Sequence, residues 1–277
     1  MKTLKTQKKP TSILFVLLLS FLIPTMYSCS KDDSLLDDQD TEMVDDDDTV
    51  PEEESSSAEE ELSSAEEEPS SCTDPIDFVF NEKDGLVGIE FEKAEFSDDW
   101  TMKNDGTGFS GEGYMIWEGA QQLHQPGIGI ATFKIKITNS GTYRFVWKSA
   151  VKTGTNGTDH NDTWLRFADA GNFYAKNGNS VVYPKDSGKT PNPEGASKDG
   201  WFKIYRSGND LDFKWQSLTY DNNGHEVFVV FEEPGTYLME VSARSSGHGI
   251  DKFVLFNEAL SQEEATSSSE LSDITCD

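Results

Sequence analysis

The chain has 277 residues and a formal charge of −28, from 51 acids against 23 lysines and arginines. A chain this acidic repels nucleic-acid phosphate, which excludes that class of partner. The charge is uneven: residues 30–75 hold twenty acids and only Lys31 in opposition, too polar a segment to bury a core. About 180–200 residues then remain for one sizeable folded domain.

Met1 to Pro10 is basic, with Lys2, Lys5, Lys8 and Lys9, and Thr11 to Ile23 is an apolar run. That run is of signal-peptide length and short for a membrane span. Pro24 ends it, and Met26-Tyr27-Ser28-Cys29 follows. Residues 1–28 resemble a bacterial lipoprotein signal peptide. The resemblance implies that Cys29 is lipidated and becomes the mature N-terminus. Ser28 provides the small residue before the cut; Tyr27 is bulkier than the usual pattern. Ser30-Lys31-Asp32-Asp33 resembles the surface-export signal of Bacteroidota lipoproteins. It implies an anchor in the outer membrane, with the protein facing the cell exterior.

Residues 29–75 read as a disordered acidic linker. Ser56-Ser57-Ala58-Glu59-Glu60-Glu61 returns as Ser63-Ser64-Ala65-Glu66-Glu67-Glu68, a seven-residue period. A coiled coil needs two apolar positions per heptad, and only Leu62 and the alanines offer any. Like charges extend such a chain, so the segment reads as a tether with a reach on the order of 100 Å.

With Cys29 assigned to lipid, Cys72 and Cys276 remain, one at each end of the folded region. An exported chain meets an oxidising compartment. A Cys72–Cys276 disulfide is therefore predicted, tying the tail 259–277 back to the start of the domain.

The domain proper, residues 76–258, reads as strands. Thr132–Ile137 alternates apolar and polar residues at the period of a half-buried strand. Asn139-Ser140-Gly141 turns, and Tyr143–Lys148 resumes. The arrangement returns in His225–Glu232, the turn Glu233-Pro234-Gly235, and Tyr237–Val241; both second strands open with Gly-Thr-Tyr. Val87–Glu92, Tyr114–Trp117, Thr163–Phe167, Trp201–Tyr205, Leu211–Gln216 and Ile250–Phe256 are further predicted strands. Gln262–Leu271 is the one candidate helix. About ten short strands with glycine and asparagine turns predict an all-β sandwich or barrel.

Enzyme motifs are scarce. Gly106-Thr107-Gly108-Phe109-Ser110-Gly111 matches the dinucleotide-binding glycine pattern, but that pattern works only between a strand and a helix, and here a strand follows. No HExxH or GxSxG occurs, and none of the four histidines pairs at a zinc-ligand spacing.

Ile89-Glu90-Phe91-Glu92-Lys93-Ala94 resembles the acidic opening strand of family 6 and family 35 carbohydrate-binding modules. Gly247-His248-Gly249-Ile250-Asp251-Lys252-Phe253-Val254-Leu255-Phe256 resembles their closing strand, and the Gly-Thr-Tyr strands occur in the same galactose-binding-like superfamily. The resemblance spans about residues 85–257. It implies a jelly-roll β-sandwich, a structural calcium held by Glu90, Glu92 and Asp251, and a poly- or oligosaccharide as partner. Glu90 and Glu92, two apart on a strand, would share one face, and calcium favours several oxygens.

The expected function is non-catalytic saccharide binding through loops. The expected ligand-binding residues are Trp117 and Glu118 at a strand end, His160, Asn161 and Asp162 in the loop before Trp164, and Arg244 and His248 in the loop into the closing strand. Trp117 is the expected stacking face, and these loops are expected to converge on one pocket. Trp147, Trp164 and Trp215 are assigned to the core, and Trp201 is left between core and site. Two alternatives stand beside this: a polysaccharide lyase or hydrolase using His160, Arg244 and His248, and a protein-binding adhesin or assembly subunit.

Overall fold

Two hairpins with the same opening letters show how this sequence builds its sheets. Gly141 and Gly235 each start a strand. The hydroxyls of Tyr143 and Tyr237, two residues on, donate to the carbonyls of Asn139 and Glu233 at 2.7 Å each. Each tyrosine thus closes its own turn, which explains why Gly-Thr-Tyr recurs.

A computed structural model describes residues 72–97 and 99–277. The signal peptide, Cys29 and nearly all of the linker lie outside the described residues. The strands in chain order are β1 (Phe78–Asn81), β2 (Leu86–Glu90), β3 (Trp100–Lys103), β4 (Tyr114–Trp117), β5 (Ala131–Ile137), β6 (Gly141–Val151), β7 (Asp162–Phe167) and β8 (Asn172–Asn177). They continue with β9 (Ser180–Val182), β10 (Phe202–Tyr205), β11 (Lys214–Trp215), β12 (Leu218–Thr219), β13 (His225–Phe231), β14 (Gly235–Ser242), β15 (His248–Asn257) and β16 (Ile274–Cys276). One helix, α1 (Gln262–Ser267), follows β15. It is shorter than predicted and starts at a capping box between Ser261 and Glu264.

The protein is all-β. One sheet runs β16-β1-β5-β14-β7-β10, and β12 joins it to a second that holds β13, β6, β15 and β2, with β8 and β9 beyond β13. The continuous sheet curls on itself as a jelly-roll sandwich. β5 and β13 show the strict alternation of buried and outward residues that the sequence predicts. The interior is dominated by rings: Phe133 meets Phe91 at 5.4 Å and Phe253 at 5.1 Å, and Phe145 meets Trp147 at 5.5 Å.

Two readings change. Val87–Glu92 is not one strand: β2 ends at Glu90, and Phe91–Lys93 is a 3₁₀ turn that buries Phe91. Leu211–Gln216 contributes only the two-residue β11. The tail 259–277 does not hang free. Leu260 and, within α1, Ala265 pack on Val146, Val254 and Phe256. β16 pairs antiparallel with β1, and Cys72 is bonded to Cys276 across a sequence separation of 204. In the chain-entropy picture a loop that long contributes roughly 5 kcal/mol.

Candidate functional site

One end of the sandwich gathers four separate stretches of chain. The first residues of β7 and β15, the last of β4 and the end of β10 all meet there. The backbone N–H of Ser245 donates to the carbonyl of Asp162 (3.2 Å), that of Gly247 to Trp117 (3.1 Å), that of Gln122 to Arg244 (2.7 Å) and that of Arg206 to Asn161 (3.0 Å). Trp117, His160, Asn161, Asp162, Arg244 and His248 are therefore brought together. Glu118 is not part of this knot: it is exposed and pairs with Lys103 at 2.8 Å.

What these side chains do there is mostly internal. Trp117 is 3% exposed. Its Nε1 donates to Ala120 O at 2.9 Å, and Trp100 packs against it at 5.7 Å. A Cβ at Gly119 or Gly129 would stand 2.5 Å from the indole, so both glycines exist to let the backbone close over it. Trp117 thus offers no open stacking face. Asn161 Nδ2 donates to Arg206 O at 2.5 Å. Asp162 is buried; Ser245 Oγ donates to it at 2.5 Å, and Arg244 donates from Nη1. The Arg244 guanidinium also lies 5.1 Å from the Trp164 ring. His160 Nδ1 contacts Ser246 O at 2.6 Å.

His248 is fully buried, with Nδ1 2.8 Å from Thr163 Oγ1 and no partner for Nε2. Burial, reinforced by Arg206, pushes its imidazole down to about 3, so it is neutral at ordinary pH. Among the tryptophans, Trp147 and Trp164 are core residues. Trp215 is half-buried beside the cluster under α1. Trp201 is buried beneath Arg166, whose guanidinium lies 4.6 Å from the ring.

Open space lies beside the knot. A cleft of about 380 Å³ is lined by Thr158, Asn161, Tyr205, Ser207, Leu218, Asp221, Asn222 and Gly224. Its wall combines amide, hydroxyl and carboxylate groups with the phenol of Tyr205. Tyr205 Oη donates to Tyr220 O at 3.2 Å, and Lys203 pairs with Asp221. Burial, with Asp221 nearby, pushes the Tyr205 phenol up to about 12, so it remains a neutral hydrogen-bonding group. Asn222 on the lining, and His160 and Tyr220 next in sequence to the lining residues Asn161 and Asp221, have φ of 61°, 54° and 66°. Left-handed backbone in non-glycine residues is strained and collects at binding sites. Of the residues singled out in the sequence, only Asn161 lines this cleft. The polar turn Tyr220–Gly224 was the available signal for Asp221, Asn222 and Gly224. A second cleft of about 380 Å³, around Ile76, Phe78, Phe96 and Ile130, lies away from all of these residues.

The acids proposed for calcium gather around one turn. Ser110 Oγ donates to Glu90 Oε2 (3.0 Å), and Ser110 N donates to Asp251 Oδ1 (2.8 Å). Glu112 N donates to Glu92 Oε1 (3.1 Å). A Cβ on Gly111 would meet Glu92 Oε1 at 2.6 Å and Glu90 at 3.2 Å. Glu92 does not share a strand with Glu90, as the sequence reading assumed; the 3₁₀ turn delivers it to the same place. Lys148 holds Asp251 at 2.9 Å and Lys252 reaches Glu90 at 3.9 Å. Glu92 Oε2 is buried and has no partner. Burial raises the pKa of both Glu90 and Glu92. All-oxygen donors with one orphaned carboxylate oxygen suit a hard cation in chemistry. Among the described residues, however, no three metal-ligating side chains stand close enough to enclose an ion.

No family model matches the chain, and no curated protein matches it. Solved structures do. A family 35 carbohydrate-binding module from Cellvibrio japonicus Abf62 aligns at TM-score 0.35 and 15% identity, over 62% of this chain and 93% of that one. A Xyl-CBM35 in complex with a disaccharide containing glucuronic acid aligns at TM-score 0.35 and 16% identity, over the same shares. A Podospora anserina GH26-CBM35 β-(1,4)-mannanase aligns at TM-score 0.37 and 16% identity, over 65% of this chain; the match spans 29% of the mannanase. Likenesses this distant decide nothing about ligand, and the all-β assignment rests on the strand pairing above.

Proposed function

We propose that this chain is a cell-surface lipoprotein that captures poly- or oligosaccharide, without chemistry of its own, in the cleft beside Asn161 and Tyr205. The observation that carries the reading is the make-up of that cleft. Sugars present an apolar ring face and a rim of hydroxyls. They are held where an aromatic side chain meets a few well-placed amide and carboxylate groups. Asn161, Asn222, Asp221, Thr158 and Ser207 supply the amide, hydroxyl and carboxylate groups in a space of about 380 Å³, with the largely buried Tyr205 forming part of its wall. The resemblance of the opening and closing strands to family 6 and family 35 modules supports the same reading.

His248 and Arg244 are engaged by Thr163 and Asp162, which favours binding over the acid–base roles considered for them. The basic leader, Cys29 and the acidic stretch that follows support a lipid anchor in the outer membrane, with a tether that carries the domain outward. Calcium, where bound, would be held by Glu90, Glu92 and Asp251 and would fix the turn at Ser110.

The test is a glycan array probed with the full chain in detergent. At least one poly- or oligosaccharide should bind. Tyr205→Ala should lower that affinity tenfold or more, and Thr158→Ala together with Asn222→Gly several-fold. Unchanged binding in both variants would reject the cleft. Release of shortened sugar products on incubation would reject the non-catalytic reading.

A further inference from the structure

Three asparagines of the domain precede a glycine: Asn156, Asn177 and Asn223. An Asn-Gly step is prone to lose the side-chain amide, because glycine has no Cβ to shield its own backbone nitrogen. All three asparagines are exposed, so sequence and exposure do not separate them. Hydrogen bonding does. Asn156 Nδ2 donates to Asp159 Oδ2 at 3.1 Å, and its Oδ1 accepts from the N–H and the hydroxyl of Thr158 at 3.1 and 2.9 Å. Gly157 is buried, and a Cβ on it would stand 2.3 Å from Gly208 O, so its nitrogen is hemmed in. Asn177 Nδ2 donates to Gly224 O at 3.0 Å, and Asn177 pairs with Ser180 at the β8–β9 hairpin. Asn223 differs. Among the described residues its side chain makes no hydrogen bond, and neither does the Gly224 N–H.

The peptide between Asn223 and Gly224 is also held and polarised. His225 is fully buried, and its Nδ1 lies 2.5 Å from Asn223 O. A carbonyl oxygen only accepts, so Nδ1 carries the proton and Nε2 accepts from Ser180 Oγ at 2.8 Å. A donor at that carbonyl stabilises negative charge on the peptide, which eases loss of the Gly224 amide proton. The bond from Asn177 fixes the next carbonyl, Gly224 O. A free backbone nitrogen thus stands beside a free carboxamide, in a main chain held on both sides.

We propose that Asn223 is a site of spontaneous deamidation, selected by its unbonded side chain and activated through the His225 bond. A solvent base removes the Gly224 amide proton, and the nitrogen attacks Asn223 Cγ. The N–Cγ bond forms, the Cγ–Nδ2 bond breaks, and Nδ2 leaves as ammonia with a proton from water. Water then opens the cyclic imide at either carbonyl, giving aspartate or isoaspartate. The consequence falls on the loop-end cleft, since Asp221, Asn222 and Gly224 line it on either side of Asn223. Both products add a carboxylate near Asp221, and like charges repel. Isoaspartate also inserts a side-chain carbon into the main chain of the turn. Only this consequence rests on the saccharide-capture reading; the chemistry does not.

The experiment incubates the full chain in detergent at mildly alkaline pH and maps its peptides by mass spectrometry at intervals. Asn223 should gain the deamidation mass faster than Asn156 and Asn177, with isoaspartate detected by methyltransferase labelling. In guanidinium the three sites should convert at similar rates. Equal or faster conversion at Asn156 or Asn177 in the folded protein would overturn the proposal, and so would the same lead for Asn223 in the denatured chain. His225→Leu should slow Asn223, and His225→Asn, which keeps a donor near the Nδ1 position, should restore the rate; an unchanged rate in His225→Leu would overturn the activation. Glycan affinity should fall several-fold as wild type ages and stay constant in Asn223→Gln. Fresh wild type that binds no glycan would reject the capture reading, while the peptide map still decides the deamidation.

Discussion

Arg244 Nη1 donates to the carboxylate of Asp162 across 82 positions of sequence, and the pair is almost wholly inside the protein, with side chains 13% and 8% exposed. It locks the loop before β7 to the loop before β15. Ser245 Oγ adds a second bond to the same carboxylate. Removing one partner of a buried pair leaves the other charge stranded, at a cost of about 3–5 kcal/mol. Asp162→Ala is therefore expected to lose stability on that scale in denaturant unfolding. Asp162→Leu with Arg244→Met should recover much of it. A single variant as stable as wild type would show that the pair does not lock the loops.

Trp117→Ala is expected to be a stability variant first. The indole is buried against Trp100 between two glycines that leave no room for a Cβ. Deleting a buried tryptophan typically costs about 3–5 kcal/mol. Its melting temperature should fall by many degrees, unlike that of Thr158→Ala at the cleft wall. An unshifted melting temperature for Trp117→Ala would contradict the burial.

Calcium should raise the melting temperature of wild type and leave that of Glu92→Gln nearly unchanged. Burial raises the pKa of Glu92 and Glu90, so their ionised forms cost stability at neutral pH unless a cation joins them. Glu92→Gln is expected to melt no lower than wild type in EDTA. Wild type should gain melting temperature on calcium addition, since a ligand of the native state stabilises it, and Glu92→Gln should gain little. Scanning calorimetry in EDTA and in calcium measures both. No gain in wild type would remove the site.

Glu82 sets a pH dependence at the other end of the sandwich. Burial opposes its charge, but hydrogen bonds from the side chains of Thr138 and Asn139 and from the backbone of Gly85 and Asn139 outweigh that and hold the carboxyl at about 2. A depressed carboxyl stabilises fully above its unfolded value of 4.5, and the contribution is lost as pH falls through about 2. Glu82→Gln should melt well below wild type at neutral pH, with the gap closing as acid is added. A gap independent of pH would mean that the bonds do not depend on charge.

The sequence by itself determined the strand class, the turns and the disulfide. Alternation in Thr132–Ile137 and His225–Phe231 records one buried face per strand, and Cys72 and Cys276 were the pair left once Cys29 was assigned to lipid. The meeting of the Asp159–Asp162 and Arg244–His248 loops was expected only from the resemblance to jelly-roll modules, whose loops at one end share a site. Only the tertiary structure decided what those residues do. Trp117 ends a strand at a loop, the position of a surface aromatic, yet the 118–130 segment folds over it. Glu92 reaches Glu90 through a turn that no two-residue period describes. Tyr205 shares a cleft with Asp221 and Asn222, and Tyr174 shares a face with Phe228, although these partners lie many residues apart. Periodicity along a chain reports which side of a strand faces inward. Whether another segment then covers the outward side depends on contacts between residues distant in sequence, which no local pattern encodes.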